Sequence, residues 1–347
     1  MQSYLPRLAV ACVFLSIVAL PGALCAGGDT EQLIEGAHWK RAKIAVEARL
    51  TANPDDASAY YDLSRVALAF DEMEDAARAA EKAVELNKGN ADYHAQLATV
   101  YATAAEHATV LKQVVLVHKM RREMEAAFAI DPKNIDAMLV QAVFEWQAPA
   151  VIGGSRQKSL AVMERLKSIS PLWGNLMEAR LFQNEDEVRT EKALQAAADV
   201  NPAFYRARIL LADFYAAGDN PAKWAEAERI AKDALREHPD RAAAYSTLAK
   251  LYAAQGRYSE LDTLLGEVGK MVPDDLSPSY FAAKVLLDHK RSPERAEAYL
   301  RKYLSQAPEA LEPKLPASKT LLAIAAERVS TQSVSLRSSG SAAGGSQ

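Results

Sequence analysis

A glycine-rich stretch is the first candidate for a chemical site. The segment "APAVIGGSRQKS", residues 148–159, places two glycines, a serine and a lysine ahead of a predicted helix that runs to Ile169. A phosphate-binding P-loop, however, has a glycine directly before its lysine and follows a strand, whereas here Gln157 stands before Lys158. Ser155 is therefore predicted to cap the helix, with the glycines allowing the chain to turn into it. The alternative is an anion contact at the helix start through Ser155, Arg156 and Lys158.

No other group of side chains predicts catalysis or metal binding. The six histidines are scattered, and none has the spacing of a zinc motif such as H-E-x-x-H. No serine lies in a G-x-S-x-G motif, and both cysteines, Cys12 and Cys25, belong to the first 26 residues. We therefore expect no enzyme activity, no metal and no cofactor. A net charge of -4 without long basic runs predicts no nucleic-acid partner.

The two ends of the chain predict an exported protein. Arg7 precedes the 13 residues Leu8–Leu20, which are mostly apolar, and small residues follow, as in a signal peptide over residues 1–26. This block is shorter than the roughly 20 residues of a membrane span, so we expect none in the mature chain and a periplasmic or secreted location. Lipid attachment at Cys25 is the less favoured alternative, because Leu24 stands where a small residue is usual. The Ser/Gly/Ala-rich tail, residues 330–347, is predicted to be disordered.

The predicted secondary-structure elements recur with a period of about 34 residues, and any functional site must be positioned by them. The clearest copies are Ala57–Asn90 and Ala242–Asp275. In each copy an aromatic at position 4 and a leucine at position 7 define the face of a first helix, and small or apolar residues at 20, 24, 27 and 28 define a second. Prolines recur near position 32, from Pro54 to Pro308, with Lys88 in their place in one unit, and are expected to end the second helix. The pattern predicts an all-α chain of antiparallel helix pairs.

These repeats resemble the tetratricopeptide repeat (TPR) family from about Thr30 to Val329. The resemblance implies a right-handed superhelical solenoid over residues 27–329, in which each unit packs on its neighbours. It also implies a concave side, lined by positions 2, 5, 9 and 12 of the first helices, that binds a protein or an extended peptide. The candidate binding residues there are Tyr61, Arg65, Arg206, Asp213 and Lys250. The basic and asparagine residues with which some members bind a chaperone's C-terminal carboxylate are absent from positions 5 and 9.

Two insertions interrupt the repeat, at about 103–119 and 147–155. Apolar residues such as Val110 and Val114 keep a helical spacing through the first, which predicts a lengthened hairpin. We expect Trp146 and Ile152 to cover its apolar face and form a lobe. The hairpin and the "P-x-x-x-GG" junction resemble a group of exported bacterial repeat proteins, and the junction is similar to the T component of tripartite periplasmic transporters.

Two functions therefore compete at this level. The first is an exported, non-enzymatic TPR scaffold that holds a protein or peptide in its groove. The second is a periplasmic small-ligand-binding or transporter-accessory protein that uses the 110–158 lobe. After Pro308, Leu321, Leu322 and Ala325 predict the buried face of a terminal capping helix.

Overall fold

The computed structural model describes residues 28–218, 220–309 and 316–324. The predicted signal peptide and the predicted tail at 330–347 lie outside these residues. Within them the chain forms α-helices joined by short turns and contains no strand, so the all-α prediction is confirmed. The chain divides into an N-terminal unit up to Ser159 and a C-terminal unit from Leu160.

The N-terminal unit is built from consecutive antiparallel helices. Its helices are α1 (Gly28–Glu35), α2 (Trp39–Ala52), α3 (Ala57–Ala69), α4 (Met73–Leu86), α5 (Ala91–Glu106), α6 (Val110–Ile130) and α7 (Ile135–Gln147). A 3-10 turn, Ala150–Ile152, precedes α8 (Arg156–Ile169), which runs on into the C-terminal unit. The first helices α1, α3 and α5 pack on the second helices α2, α4 and α6 that follow them, and each also packs on the next first helix.

The C-terminal unit repeats this plan. Its helices are α9 (Pro171–Phe182), α10 (Glu187–Val200), α11 (Tyr205–Ala217), α12 (Pro221–Glu237), α13 (Ala242–Gln255), α14 (Tyr258–Met271), α15 (Ser277–Asp288) and α16 (Pro293–Tyr303). Pro171 differs from its predicted role at the end of a unit, because it is the first residue of α9. A proline there removes no intrahelical hydrogen bond, since the first backbone N–H groups of a helix have no partner in it.

Asparagine and aspartate residues mark both ends of many helices. The side chains of Asn90 and Asn134 accept hydrogen bonds from backbone N–H groups in the first turns of α5 and α7, which is how N-caps stabilise a helix. Three second helices end at a residue directly before a proline, namely Asn53, Asp131 and Asn201. The proline ring disfavours helical backbone at the preceding residue, so these Asx-Pro pairs fix where three of the second helices end.

Small residues let the helices of a pair approach closely. Ala76, Ala80 and Ala83 on α4 are at most 1% exposed, and Ala227, Ala231 and Ala234 on α12 are fully buried. Both sets occupy the predicted spacing of the second helix. Each unit thus buries its own alanine-rich interfaces, as expected of a repeat fold in which units contact their neighbours.

The hairpin of α5 and α6 contains the two longest helices of the N-terminal unit, of 16 and 21 residues. Val117, Met120 and Met124 of α6 are buried against the rest of the unit, whereas Val110 and Leu111 are 76% and 84% exposed. The prediction that Trp146 and Ile152 cover the apolar face of the hairpin is therefore wrong at the start of α6. The physical reason is that the loop after α7 meets α6 farther along, where the guanidinium of Arg121 donates to the Ile152 carbonyl at 2.9 Å.

The helical segment 316–324 packs on the last helix pair. Ala317 and Ile324 are buried in the same apolar cluster as residues of α15 and α16, and Leu321 packs partly against it. Leu322, predicted on the buried face, is instead 71% exposed, because the contacting face repeats at 317, 321 and 324. Ala325 lies outside the described residues.

A carboxylate on α12 ties that helix to the following pair. Glu228 accepts hydrogen bonds from Arg257 at 2.6 Å and from the Tyr252 hydroxyl at 3.1 Å, and it lies 2.6 Å from Lys232. The hydrogen bonds from Arg257, and then those from Lys232, lower the pKa of Glu228 to about 2, although partial burial opposes the shift.

This contact predicts a pH-dependent contribution to stability. Because the pKa of Glu228 is lower in the folded chain than its ordinary 4.5, its stabilising effect is complete above pH 4.5 and is lost as the pH falls towards 2. Glu228→Gln should lower the free energy of unfolding by roughly 2 kcal/mol at pH 7. Urea unfolding of the parent chain and of the Glu228→Gln variant, at pH 7 and at pH 3, measures this difference in stability. A difference that is as large at pH 3 as at pH 7 would contradict the assignment.

Candidate functional site

The first helices α3, α5 and α7 lie side by side in the N-terminal unit and share an aromatic and acidic face. The rings of Tyr61 on α3 and Tyr93 on α5 stack with their centroids 5.2 Å apart. Burial, followed by the negative charges of Asp136 and Asp92, raises the pKa of Tyr61, while Arg65 opposes the shift. Tyr61 is half-buried and keeps its hydroxyl proton, so it presents a ring and a hydrogen-bond donor on this face.

Arg65, predicted to line the groove, is held in a buried ion network. Its side chain is nearly inaccessible, and its guanidinium donates to both oxygens of Glu31, at 2.6 and 3.1 Å, and to Asp62 at 3.3 Å. Burial opposes the charge, but Tyr61 and Glu31 together hold the pKa of Arg65 above its usual value. Asp62 also accepts a hydrogen bond from Arg49 at 2.7 Å. The guanidinium is therefore engaged by its own chain, and this geometry does not favour Arg65 as a partner contact.

Two carboxylates complete the N-terminal face. Asp92 is exposed and accepts a hydrogen bond from the Asn134 amide at 2.7 Å. Burial, and then the charge of Asp92, raises the pKa of Asp136 to about 7, with Arg65 opposing. A cation brought to this face would favour the ionised carboxylate. Asp136 is not among the residues predicted from the sequence, although it holds position 2 of α7 just as Asp92 holds position 2 of α5.

In the C-terminal unit, α11, α13 and α15 carry the corresponding face. Lys250 on α13 donates to Asp213 on α11 at 2.6 Å, and the Thr247 hydroxyl donates to the same carboxylate oxygen at 2.6 Å. The Lys250 ammonium also lies 5.2 Å from the ring centroid of Phe281 on α15. Arg206 is half-buried in the first turn of α11, and burial lowers its pKa to about 10. The structure thus joins Asp213 and Lys250 in one pair and places Arg206 on the same helix as Asp213.

The polar residues of the glycine-rich loop make contacts within the chain. The Ser155 hydroxyl accepts a hydrogen bond from the backbone N–H of Lys158 at 3.3 Å, and the Ser155 N–H donates to the Glu145 carbonyl at 2.8 Å. The guanidinium of Arg156 lies 4.3 Å from the ring centroid of Trp146. Ser155 therefore occupies the capping position of α8, as the sequence predicts. Its role in anion binding stays a prediction, together with those of Arg156 and Lys158.

The two glycines are required by the path of the chain. Gly153 has φ +95°, in the left-handed region, and a Cβ there would overlap the Arg121 guanidinium. A Cβ on Gly154 would overlap the carbonyl oxygen of Ala148. The glycines thus allow the loop to lie close to Arg121 and Ala148. This close packing is sufficient to explain why glycine occupies both positions, and no phosphate contact is needed for that explanation.

One histidine is an internal link rather than a surface residue. His94 is buried on α5, where Nδ1 lies 2.7 Å from Glu123 Oε2 on α6 and Nε2 lies 3.1 Å from the Lys88 carbonyl. Both ring nitrogens face acceptor oxygens, so this side chain joins α6 and the turn before α5. In the described part of the chain, no three His, Cys, Asp or Glu side chains are placed to hold a metal ion.

Comparison with known proteins agrees with this architecture. Residues 222–287, which span most of α12 to α15, match the tetratricopeptide repeat family model. The chain has a TPR-type helical-repeat fold. Human IFIT1, in a dimer with PPP-AAAA, aligns with a TM-score of 0.52 at 13% identity, over 88% of this chain and 74% of that chain. This likeness shows the fold alone.

Two bacterial TPR proteins are also similar. One, from Parabacteroides merdae, covers 86% of this chain and 96% of its own at 14% identity, with a TM-score of 0.40. The other, a thermophilic TPR protein from Thermus thermophilus, covers 54% and 95% at 17% identity, with a TM-score of 0.47. No curated protein matches the chain.

The TPR register explains why Arg65 is engaged. Glu31 and Arg65 are 34 residues apart, which is one repeat, so both hold position 9 of the repeat, on α1 and α3. Asp213 and Lys250 hold position 9 of α11 and α13 and pair in the same way. Opposite charges at this position therefore link successive repeats. A sequence signal for this role exists, because acidic and basic residues alternate at position 9 in both places.

Proposed function

We propose that this chain is an exported, non-catalytic TPR scaffold that binds a protein or an extended peptide along its first-helix faces. The observation that carries the proposal is the side-by-side placement of first helices. It brings Tyr61, Asp92 and Asp136 together in the N-terminal unit and Asp213, Lys250 and Phe281 together in the C-terminal unit. An extended segment suits such a face, because each repeat can add a few contacts.

The exposure of the side chains on these faces determines which of them a partner can contact. Asp92 is exposed and Tyr61 half-buried, whereas Arg65 is closed off by Glu31 and Asp62. The Asp213–Lys250 pair is about one-third exposed, with side-chain exposures of 31% and 27%, so a partner can reach it. The leader pattern at residues 1–26 supports export and a place in the cell envelope.

Affinity capture with matched surface variants tests the scaffold. The chain is used to capture proteins from envelope extract of its source cell, and the bound proteins are quantified by mass spectrometry. We expect Asp92→Ala and Lys250→Ala to lose a protein that the parent chain retains. Glu85→Ala on α4 and Lys192→Ala on α10 are exposed charge removals on second helices and should retain it. Equal capture by all four variants would contradict the proposal, and a bound small molecule without any protein would favour the transporter-accessory alternative.

A further inference from the structure

The start of α6 carries the densest group of exposed aliphatic side chains in the described residues. Of eleven exposed large hydrophobic residues, four lie within six positions: Val110, Leu111, Val114 and Val115, which are 76%, 84%, 53% and 57% exposed. Successive residues of an α-helix are rotated by about 100°, so these four side chains share one side of the helix. We call them the α6 apolar patch.

The patch is not the surface that holds the hairpin together. Val117, Met120 and Met124 form the buried face of α6 and belong to the cluster that contains residues of α5. By helical rotation Val110 and Val114 lie on the side of α6 that carries Val117, one to two turns before it, and Leu111 and Val115 lie beside them. The rest of the unit leaves this first part of α6 exposed, so polar residues there would serve the fold equally well. Concentrated exposed apolar surface of this kind marks an interaction site more often than isolated exposed residues do.

The charged side chains of α6 that lie closest to the patch are basic. Residues 110–122 contain Lys112, Lys119, Arg121 and Arg122, and Glu106 and Glu123 flank this range. Lys112 is exposed, whereas Lys119 lies 3.9 Å from Glu81 and Arg122 donates to Glu123. By helical rotation, Lys112 and Lys119 lie along one edge of the patch, and Arg122, whose side chain is 71% exposed, lies beyond its C-terminal end. Long basic side chains beside an apolar surface can place their charges at its border with water.

We propose that the α6 apolar patch docks onto the surface of an anionic lipid bilayer. The four aliphatic side chains would enter the boundary between headgroups and acyl chains, and Lys112, Lys119 and Arg122 would face lipid phosphates. Four side chains are far fewer than the roughly 20–30 residues that each partner contributes to a stable protein interface. No helix in the described ranges is long and apolar enough to cross a membrane, so the contact is one with the surface. It would hold the scaffold beside the envelope membrane.

A probe inside the patch tests this contact independently of the rest of the chain. Val115→Cys is labelled with the polarity-sensitive dye NBD in the full chain, with Cys12→Ser and Cys25→Ser to leave one thiol. The control probe is at Val188→Cys, an exposed valine on α10. Phosphatidylcholine vesicles containing phosphatidylglycerol should shift the emission of the Val115 probe to the blue and leave the Val188 probe unchanged. The dye reports only on the surroundings of residue 115. Lipid binding by residues 1–27 would therefore not by itself shift the emission of the Val115 probe.

Variants then separate lipid binding from self-association. Val110→Ser, Leu111→Ser and Val114→Ser together should abolish the shift, and Lys112→Gln should raise about fivefold the lipid concentration at which the Val115 probe is half shifted. Vesicles of phosphatidylcholine alone should give little response. The proposal is overturned if the Val115 probe keeps its emission in water with anionic vesicles. It is equally overturned if the probe shifts without vesicles as protein concentration rises, since that would make the patch a contact between chains. Neither result bears on capture by the first-helix faces.

Discussion

Replacing Arg65 with methionine should lower the free energy of unfolding of the N-terminal unit by about 3–5 kcal/mol, the usual effect of removing one member of a buried ion pair. The side chain of Arg65 is 3% exposed and that of Asp62 is 7% exposed. Without the guanidinium, Asp62 stays buried with Arg49 as its remaining cation, and Glu31 loses both of its hydrogen bonds to α3. Urea unfolding measures the loss, and hydrogen exchange should show it first in α1 and α3.

The matched control is the position-9 pair of the C-terminal unit. Lys250→Met removes the same kind of contact, but its side chain and that of Asp213 are 27% and 31% exposed. Water can solvate the remaining carboxylate, so the expected loss is at most about 1 kcal/mol. Equal losses in the two variants would show that burial of Arg65 does not set its importance. The control also makes Lys250 the better residue for binding experiments, since lost capture there would not reflect unfolding.

The fold was predictable because it follows from local, periodic signals. Alanines at Ala76, Ala80 and Ala83 specify one face of a second helix wherever the chain is placed, since their spacing matches the helical turn. Asx-Pro pairs such as Asn53-Pro54 end that helix through the backbone of two adjacent residues. Neither signal needs information from a distant part of the sequence.

The candidate site was less predictable because its properties depend on neighbours one repeat away. Position 9 correctly places Arg65 on the first helix, but its availability depends on Glu31, 34 residues earlier. Asp136 becomes notable only when α7 brings it near Asp92, where burial and like charge raise its pKa. Comparing the same position in successive repeats, rather than each repeat alone, would have revealed the Glu31–Arg65 and Asp213–Lys250 pairs.

The α6 insertion shows a different limit. Apolar residues at helical spacing predict that α6 is amphipathic, but they do not say over what length its apolar side is covered. Val110 and Val117 both fit an apolar pattern, yet the first is exposed and the second buried. The difference arises because the loop after α7 meets α6 at Arg121 rather than at its start.

Gly154→Ala should destabilise the N-terminal unit by roughly 3 kcal/mol, because its new Cβ would overlap the Ala148 carbonyl oxygen and force the backbone apart. Gly266→Ala on α14 is the matched control. A Cβ there meets nothing within 4 Å, and alanine in a helix interior should stabilise it by up to about 1 kcal/mol.

Thermal unfolding of both variants, with and without inorganic phosphate, distinguishes the two explanations of the glycines. If the loop exists to approach a phosphate, the parent chain should gain stability with phosphate and Gly154→Ala should lose that gain. If the glycines serve the turn into α8, Gly154→Ala should be destabilised equally in both buffers. The contact between Gly154 and Ala148 already forbids a larger residue, so we expect the second result. A Gly154→Ala chain as stable as its parent would refute this close approach.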